Sequence, residues 1–420
     1  MKFIHTADLH LDSPLRGLER YEGAPVDVMR QSTRRALENI VVLAVREGVD
    51  FVLIAGDIYD GDWRDFNTGL FFARQMARLR EARIPVFLIR GNHDAASQIT
   101  RELSLPDNVH VFSSRTAGTN VLESLGVAVH GQSFPNREVP EDLSRSYPEA
   151  RAGLFNIGLL HTSADGREGH AAYAPCTLDG LRAKGYDYWA LGHVHQREVL
   201  SQEPWIIFPG NPQGRHARET GPKSCTLVTA DNGRIAQVQT REVDVARWLQ
   251  CEVTAAGINR PEDLLESVRR LLDKEVSNAE DRVLAVRLLV TGACPAHGRL
   301  IAQSEQLMAE CRQLANDVGK GRIWMEKIKI ETRPLAGAVE PGQGTTPLDD
   351  LLRYTRALPE NPAELQSLAL CLDALSRRLP LELRQGLDSL DLQNPKTLAA
   401  LVPEAESLLL AKIQNPEVGQ

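Results

Sequence analysis

No stretch of the chain is apolar for long enough to cross a bilayer. Apolar runs such as Phe51–Ala55 and Leu408–Ala411 fall far short of the roughly 20 residues that a spanning helix needs. The opening residues reach Lys2 and His5 at once and leave no room for the apolar core of a secretory signal, so a cytoplasmic protein is expected. Cysteine is scarce and scattered: six residues, Cys176, Cys225, Cys251, Cys294, Cys311 and Cys371, with no C-x-x-C spacing. That argues against a zinc–thiolate site and against a disulfide framework. Basic charge is in deficit, at a formal net −8, so the simple electrostatic signature of a nucleic-acid binder is missing. A local basic strip or a basic partner would have to supply phosphate contacts. Internal repeats are absent, and so is the G-x-S-x-G elbow that would present a serine nucleophile.

What remains is an ordinary globular composition, 42% hydrophobic and 25% charged over 420 residues, with room for roughly two or three domains. Ala36, Ile40, Leu43 and Ala44 predict a helix between Val28 and Glu47, and Leu70, Phe71, Ala73 and Ala77 another from Asn67 to Arg80. Strands are predicted around Phe3 and Ile4 and over Phe51–Ala55, Val86–Ile89, Val127–His130, Ile157–Leu160, Tyr188–Leu191, Trp205–Phe208 and Cys225–Thr229. This alternation predicts an α/β layered domain over residues 1–245. Strands at Leu249–Val253, Val283–Val290 and Ile323–Glu331, with helices at Pro261–Lys274 and Arg299–Val318, predict a small αβ capping domain over 246–335. A Gly- and Pro-rich linker, 336–347, leads to a leucine-rich helical segment, 348–420, broken by Pro359, Pro362, Pro380, Pro395 and Pro403.

The residues that carry chemistry stand where the predicted strands end. The first strand runs into Asp8-Leu9-His10, an acid and an imidazole two apart and hence on one face of an extended chain. The next ends in Gly56-Asp57-Ile58-Tyr59-Asp60, the third in Gly91-Asn92-His93-Asp94, a later one in His161, and another in Gly192-His193-Val194-His195. In open α/β sheets ligands gather at the carboxyl ends of strands, so these five fragments are expected to converge. Gly56, Gly91 and Gly192 precede the candidates, where a missing Cβ lets the backbone turn sharply. Asp8, His10, Asp57, Asn92, His161, His193 and His195 serve two cations with four ligands each if one carboxylate bridges, and Asp57 is the candidate. Oxygen and nitrogen donors without thiolate suit Mn²⁺, with Fe²⁺, Zn²⁺ or Co²⁺ also accommodated.

His93 follows a ligand and is expected near the metals without binding one. Asp60 would hold its ring in the useful tautomer, or serve only to stabilise a turn. Arg215, His216, Arg218 and Lys223 cluster after a strand, and Arg90 and Arg197 lie beside candidate ligands. On residues alone this cationic set reads equally as a phosphate-backbone track, a solvated loop or a partner interface. Tyr59, Trp63 and Tyr173 are candidates for stacking on a base or sugar. His5 lies inside the first strand, His130 ends a strand, and His110, His170 and His297 have no partners at ligand spacing, so all five read as packing or surface residues.

In this order the motifs D-x-H, G-D-x-x-D, G-N-H-D, H and G-H-x-H resemble the calcineurin-like metallophosphoesterases. Thr6–Leu11 and Ala55–Asp60 look like the SbcD and Mre-type DNA repair nucleases. Gly56–Trp63, Trp189–Glu198 and Gly214–Lys223 resemble the bacterial YhaO-like branch. The resemblance covers roughly residues 1–230 strongly. It implies a two-layer β-sandwich flanked by helices, two catalytic divalent metals and phosphodiester cleavage by a metal-bridging hydroxide. It further implies that Asp8, His10, Asp57 and His195 hold one metal and Asp57, Asn92, His161 and His193 the other. His93 would stabilise the phosphate or protonate the leaving oxygen. The implied setting is DNA repair, as an exonuclease or endonuclease that works with an SMC-like ATPase (SbcC-like or YhaN-like) through the helical C-terminal segment, and as a homodimer. Two other functions stay open: a phosphodiesterase for nucleotides or small phosphoesters, and a non-catalytic adaptor for the ATPase.

Overall fold

The computed structural model describes residues 1–13, 23–60, 66–96, 104–164, 173–335, 346–379 and 390–414. The chain divides into two compact units. The first comprises Met1–Gln250, Val276–Arg287 and Arg322–Glu326; the second comprises Cys251–Glu275, Leu288–Gly321 and Lys327–Gln420.

In the first unit the strands are β1 (Lys2–Thr6), β2 (Phe51–Ala55), β3 (Val86–Ile89), β4 (Val109–Val111), β5 (Gly118–Leu122), β6 (Val127–Gly131), β7 (Phe155–His161), β8 (Tyr188–Gly192), β9 (Glu198–Gln202), β10 (Trp205–Phe208), β11 (Ser224–Asp231) and β12 (Arg234–Glu242). They form two six-stranded sheets, ordered β12-β11-β1-β2-β3-β4 and β5-β6-β7-β8-β10-β9. Within the first sheet β1 pairs with β2, β2 with β3 and β3 with β4 in parallel, and β11 pairs antiparallel with β1. In the second, β6, β7, β8 and β10 run parallel.

The two-residue period of a strand decides the layers. Phe3, Phe51, Leu53, Phe87 and Ile89 share a core with Val129, Ile157, Leu159, Tyr188 and Ala190, so the two sheets pack face to face. Their neighbours Ile4, Val52, Ile54, Val86 and Leu88 turn the other way, onto Leu37, Ile40 and Ala44 of α1 (Val26–Glu47) and Phe72, Met76 and Leu79 of α2 (Phe66–Glu81). The outer face of the second sheet is covered through Trp189, Leu191, Ile206 and Phe208, which pack with Leu181 of α4 (Leu178–Ala183) and with Tyr147 and Tyr186. This is the two-layer β-sandwich flanked by helices that the motifs imply. Between β3 and β4, Asn92–Ala96 forms one short helix, α3.

Three further strands, β13 (Ala246–Thr254), β14 (Val283–Ala293) and β15 (Ile323–Arg333), make a third sheet in that order. They alternate with helices: α5 (Pro261–Ala279) buries Leu264, Val268 and Leu272 at four-residue spacing. The helix expected over Arg299–Val318 is two, α6 (His297–Ala302) and α7 (Ser304–Gly319), divided at Gln303, which leaves helical geometry at φ −105°. Residues 336–345 of the expected linker lie outside the described residues.

The C-terminal segment forms α8 (Pro347–Ala357), α9 (Pro362–Cys371), α10 (Asp373–Arg378) and α11 (Pro395–Gln414). Pro347, Pro362 and Pro395 start helices rather than break them, because a proline in the first helical position gives up an amide that has no partner there. Pro403, expected to interrupt, sits inside α11. Leu365 and Ala369 of α9 pack with Leu392, Leu398 and Val402, and α11 also lies against α6. Among the described residues no helix is long and apolar enough to cross a membrane.

Candidate metal centre

The ends of β1, β2, β3, β7 and β8 meet, and they bring together all seven expected ligands. Hydrogen bonds lace the loop after β1 to the loop after β2: Asp8 N–H donates to Gly56 O (2.9 Å), His10 N–H to Asp57 O (3.0 Å) and Leu11 N–H to Ile58 O (2.8 Å). Across the sheets, His193 N–H donates to both oxygens of Asp8 (3.0 and 3.1 Å), and His93 N–H to Asp57 Oδ1 (3.0 Å). The backbone is strained where the expected ligands stand. Asp8 (φ +53°), His10 (+41°), Asp57 (+54°) and His193 (+106°) all occupy the left-handed region, which costs about 1–3 kcal/mol per residue and marks sites where geometry is imposed.

The glycines serve this convergence in a way the sequence reading only half captured. Gly56 takes a positive φ of +94°, as a sharp turn requires. At Gly91 and Gly192 the constraint is space. A Cβ on Gly91 would lie 2.3 Å from Asp57 Oδ1, and one on Gly192 would lie 1.9 Å from the Ala55 carbonyl oxygen.

Among the described residues the donor atoms fall into three groups that could hold a cation: Asp8, His10 and His195; Asp57, His161 and His193; and His10, Asp60 and His93. His10 Nε2 and His195 Nε2 are 3.2 Å apart. Two ligand atoms about 2.1 Å from one cation lie roughly 3.0–3.4 Å from each other, so this spacing suits a shared ion. His161 Nδ1 is 2.8 Å from the Ala55 carbonyl oxygen, which only accepts, so Nδ1 carries the proton. The lone pair of His161 Nε2 then faces Asn92 Oδ1 at 2.9 Å, two acceptors with no hydrogen between them. A cation is what such a pair is built to share. Asp57 Oδ2 is 3.8 Å from His10 Nε2 and 3.5 Å from His161 Nε2, so one carboxylate oxygen faces both groups, as a bridging ligand must.

Electrostatics agree with this reading. Burial holds the His10 and His161 imidazoles down to about 3, leaving them neutral with a lone pair to offer. Burial and the charge of Asp57 push the Asp8 carboxyl well above its ordinary range and that of Asp94 up to about 7. Crowded buried carboxylates of this kind are what a pair of divalent cations relieves.

His93 stands beside the expected ligands with Nδ1 3.2 Å from Asp60 Oδ1. Burial opposes its protonation, but the hydrogen bond to Asp60 and the charges of Asp57 and Asp60 outweigh that and raise the imidazole above its usual value. The Asp60 carboxyl is held far below its ordinary range: burial works against this, and the contacts to His10 and His93 overcome it. Ser13 Oγ donates to its other oxygen at 2.7 Å.

The cationic candidates separate. Arg215 lies at the centre, with Nη1 3.7 Å from Asp60 Oδ1 and Nη2 3.3 Å from Glu219 Oε1. His216 and Arg218 are exposed on the same loop. Lys223 is buried, its Nζ 3.4 Å from the His195 carbonyl oxygen, so it braces the loop from within. Arg90 and Arg197 are half-buried beside the ends of β3 and β8. Among the stacking candidates, Tyr59 is core, packed edge-on against Phe72. Trp63 lies outside the described residues, and Tyr173 sets its ring 5.3 Å from that of His193. His5 is a packing residue, buried between the Tyr188 hydroxyl (2.9 Å) and Leu191 O (3.0 Å). His170 is outside the described residues.

Two carboxylates at the site escaped the sequence reading. Asp94 accepts from the backbone N–H groups of Ile58, Tyr59 and Gly91 (2.9–3.1 Å) and so ties the β2 loop to the β3 loop. Its signal was in plain view as the last residue of Gly91-Asn92-His93-Asp94. Glu219 accepts from His195 and Arg215, and nothing in the spacing of Gly214–Lys223 points to it.

Residues 1–197 match the family model of the calcineurin-like phosphoesterases, and residues 248–333 that of the metallophosphoesterase YhaO middle domain. The chain is 38% identical over 299 residues to metallophosphoesterase YhaO of Bacillus subtilis, covering 70% of this chain and 72% of that one. It is 25% identical over 349 residues to the DNA double-strand break repair protein Mre11 of Sulfurisphaera tokodaii, covering 78% of this chain and 81% of that one. Among solved structures it is similar to a dimetal phosphatase from Danio rerio, at 14% identity and a TM-score of 0.35, over 58% of this chain and 96% of that one.

Proposed function

Because the chain belongs to the calcineurin-like metallophosphoesterases and carries the YhaO-type middle domain, and is thus a metal-dependent phosphoester hydrolase, we propose that its substrate is DNA and that it cleaves phosphodiester bonds as a two-metal nuclease. The observation that carries the metal part is the pair of acceptor-lined gaps, His10–His195 and His161–Asn92, both facing Asp57 Oδ2. Asp8, His10, Asp57 and His195 would hold one cation, and Asp57, Asn92, His161 and His193 the other, with Mn²⁺ the favoured ion. Two such ions supply an activated water and neutralise charge on the phosphate.

The remaining groups act on what lies between. Asp60 accepts from His93 Nδ1 and favours the doubly protonated ring, whose Nε2–H then donates to a phosphate or leaving oxygen. Arg215 adds a guanidinium suited to a phosphate oxygen, and exposed His216 and Arg218, with Arg90 and Arg197, extend the positive strip along a nucleic-acid backbone. The likeness to a DNA double-strand break repair protein supports this choice of substrate. An SMC-like ATPase is the proposed partner. The C-terminal helices support it by leaving Leu370, Leu375, Leu408, Leu409 and Ile413 exposed. Homodimerisation and action in the cytoplasm complete the proposal.

The deciding assay offers purified protein single- and double-stranded DNA and bis-p-nitrophenyl phosphate in Mn²⁺. Cleavage of DNA that stops in EDTA and returns on adding Mn²⁺ is the expected result. Hydrolysis of the small ester alone would replace DNA by a small phosphodiester, and cleavage of neither substrate would leave an adaptor.

A further inference from the structure

We propose that Glu219 is a positioning residue of the metal centre, setting which nitrogen of His195 carries the proton and holding Arg215 beside it. The loop between β10 and β11 is built around this carboxylate, whose two oxygens are both in use. Oε1 lies 2.7 Å from His195 Nδ1 and 3.3 Å from Arg215 Nη2, and Oε2 accepts from the Arg215 backbone N–H (2.7 Å) and from Asn211 Nδ2 (2.9 Å). Its side chain is only 7% exposed, so the carboxylate itself is largely shielded from water, which strengthens the bonds it accepts.

Competition at His195 Nδ1 is what makes Glu219 matter. Arg215 Nη2 is also within 3.2 Å of Nδ1, and an arginine can only donate. With the carboxylate present, Nδ1 keeps its proton and donates a hydrogen bond to Glu219, and the Nε2 lone pair faces His10 across the 3.2 Å gap. With the charge removed, Arg215 becomes the donor to Nδ1, the ring proton moves to Nε2, and the nitrogen aimed at the cation is blocked. Glu219 therefore keeps a neighbouring cationic group from disabling a ligand, and directs that same group to the phosphate side of the site.

The loop is pinned to do this. Asn211 N–H donates to the His195 carbonyl (3.2 Å), and Gln213 Oε1 accepts from the backbone of Val245 (2.9 Å) and Ala246 (3.2 Å). Gly214 leaves no room to shift, since a Cβ there would lie 2.7 Å from the Glu219 carbonyl oxygen. Partners that orient a metal-bound imidazole are worth about 10–100-fold in metal affinity.

The proposal rests on His195 being a metal ligand, and its test separates the two claims. In metal-free, ¹⁵N-histidine-labelled protein, nitrogen shifts are expected to place the His195 proton on Nδ1 in the wild type and on Nε2 in Glu219→Gln. By Mn²⁺ titration, Glu219→Gln is expected to bind one of its two ions about 10–100-fold more weakly, and adding Arg215→Met is expected to recover most of that loss. Arg215→Met alone keeps both the wild-type tautomer and the Mn²⁺ affinity while turnover falls; this variant carries the test should Glu219→Gln fail to fold. An unchanged His195 tautomer in Glu219→Gln, or a tautomer altered by Arg215→Met alone, overturns the role given to Glu219. Wild-type protein that shows the Nδ1 proton but binds no Mn²⁺ overturns instead the ligand assignment of His195.

Discussion

Asp57→Ala is expected to abolish tight binding of both metal ions and to lower turnover roughly 10⁴-fold or more, a large part of what an enzyme of this kind supplies. The effect is large because one side chain serves both halves of the site: Oδ2 faces His10 on one side and His161 on the other, while Oδ1 accepts from the His93 amide. The metal-free fold is expected to tolerate the change. Burial and the Asp57 charge together raise the Asp8 and Asp94 carboxyls, so removing that charge relieves a repulsion among buried acids. Loss of the His93 amide bond works the other way, so thermal unfolding in EDTA is expected to place Asp57→Ala near the wild type. In Mn²⁺ the wild type gains stability by mass action and the variant does not. A variant that still binds two ions and still turns over contradicts the bridging role.

His93→Ala is expected to divide metal binding from chemistry. The backbone N–H that bonds Asp57 stays in place, and the imidazole belongs to neither the Asp8–His10–His195 nor the Asp57–His161–His193 group but only to a third set with His10 and Asp60, so both Mn²⁺ ions are expected to bind as in the wild type. What goes is the ring oriented by Asp60, and the loss expected for a positioned proton donor is about 10²–10⁴-fold in kcat, with KM little changed. Single-turnover kinetics beside a Mn²⁺ titration make the measurement. A variant that loses an ion would move His93 into the ligand set.

The sequence announced some parts of this molecule and hid others for identifiable reasons. In the sandwich, each interior strand, β11, β1, β2 and β3 in one sheet and β6, β7, β8 and β10 in the other, is legible as an apolar run, because a strand covered on both faces must be apolar throughout. The strands missed are the four sheet edges, β4, β5, β9 and β12. Edges have one pairing partner and much solvent, so polar residues such as Arg234, Gln237, Thr240 and Arg241 serve in β12, and the periodic signal fades. The split between α6 and α7 is invisible to periodicity, since leucines continue at helical spacing on both sides of Gln303.

The same division holds at the site. Asp8, Asp57, Asn92, His161 and His193 stand at or just beyond strand ends, where the change from apolar run to polar residue is itself the signal. Glu219 and Arg215 reach the centre on a loop with no period, and their importance comes from whom they meet: His195, Asn211 and Asp60. Such meetings are fixed by tertiary structure alone. The reason offered for the glycines holds at Gly56 and falls short at Gly192 for a related cause, because the closeness of Gly192 to Ala55 is a contact between the two sheets.

The claim beneath everything else is that a single carboxylate joins two cations, and diffraction at the manganese absorption edge from crystals grown in Mn²⁺ tests it most directly. Two anomalous peaks roughly 3.5–4 Å apart, one beside His10 and His195, the other beside His161 and Asn92, with Asp57 touching both, are the expected result. A single peak, or peaks that leave Asp57 uncoordinated, would contradict the account.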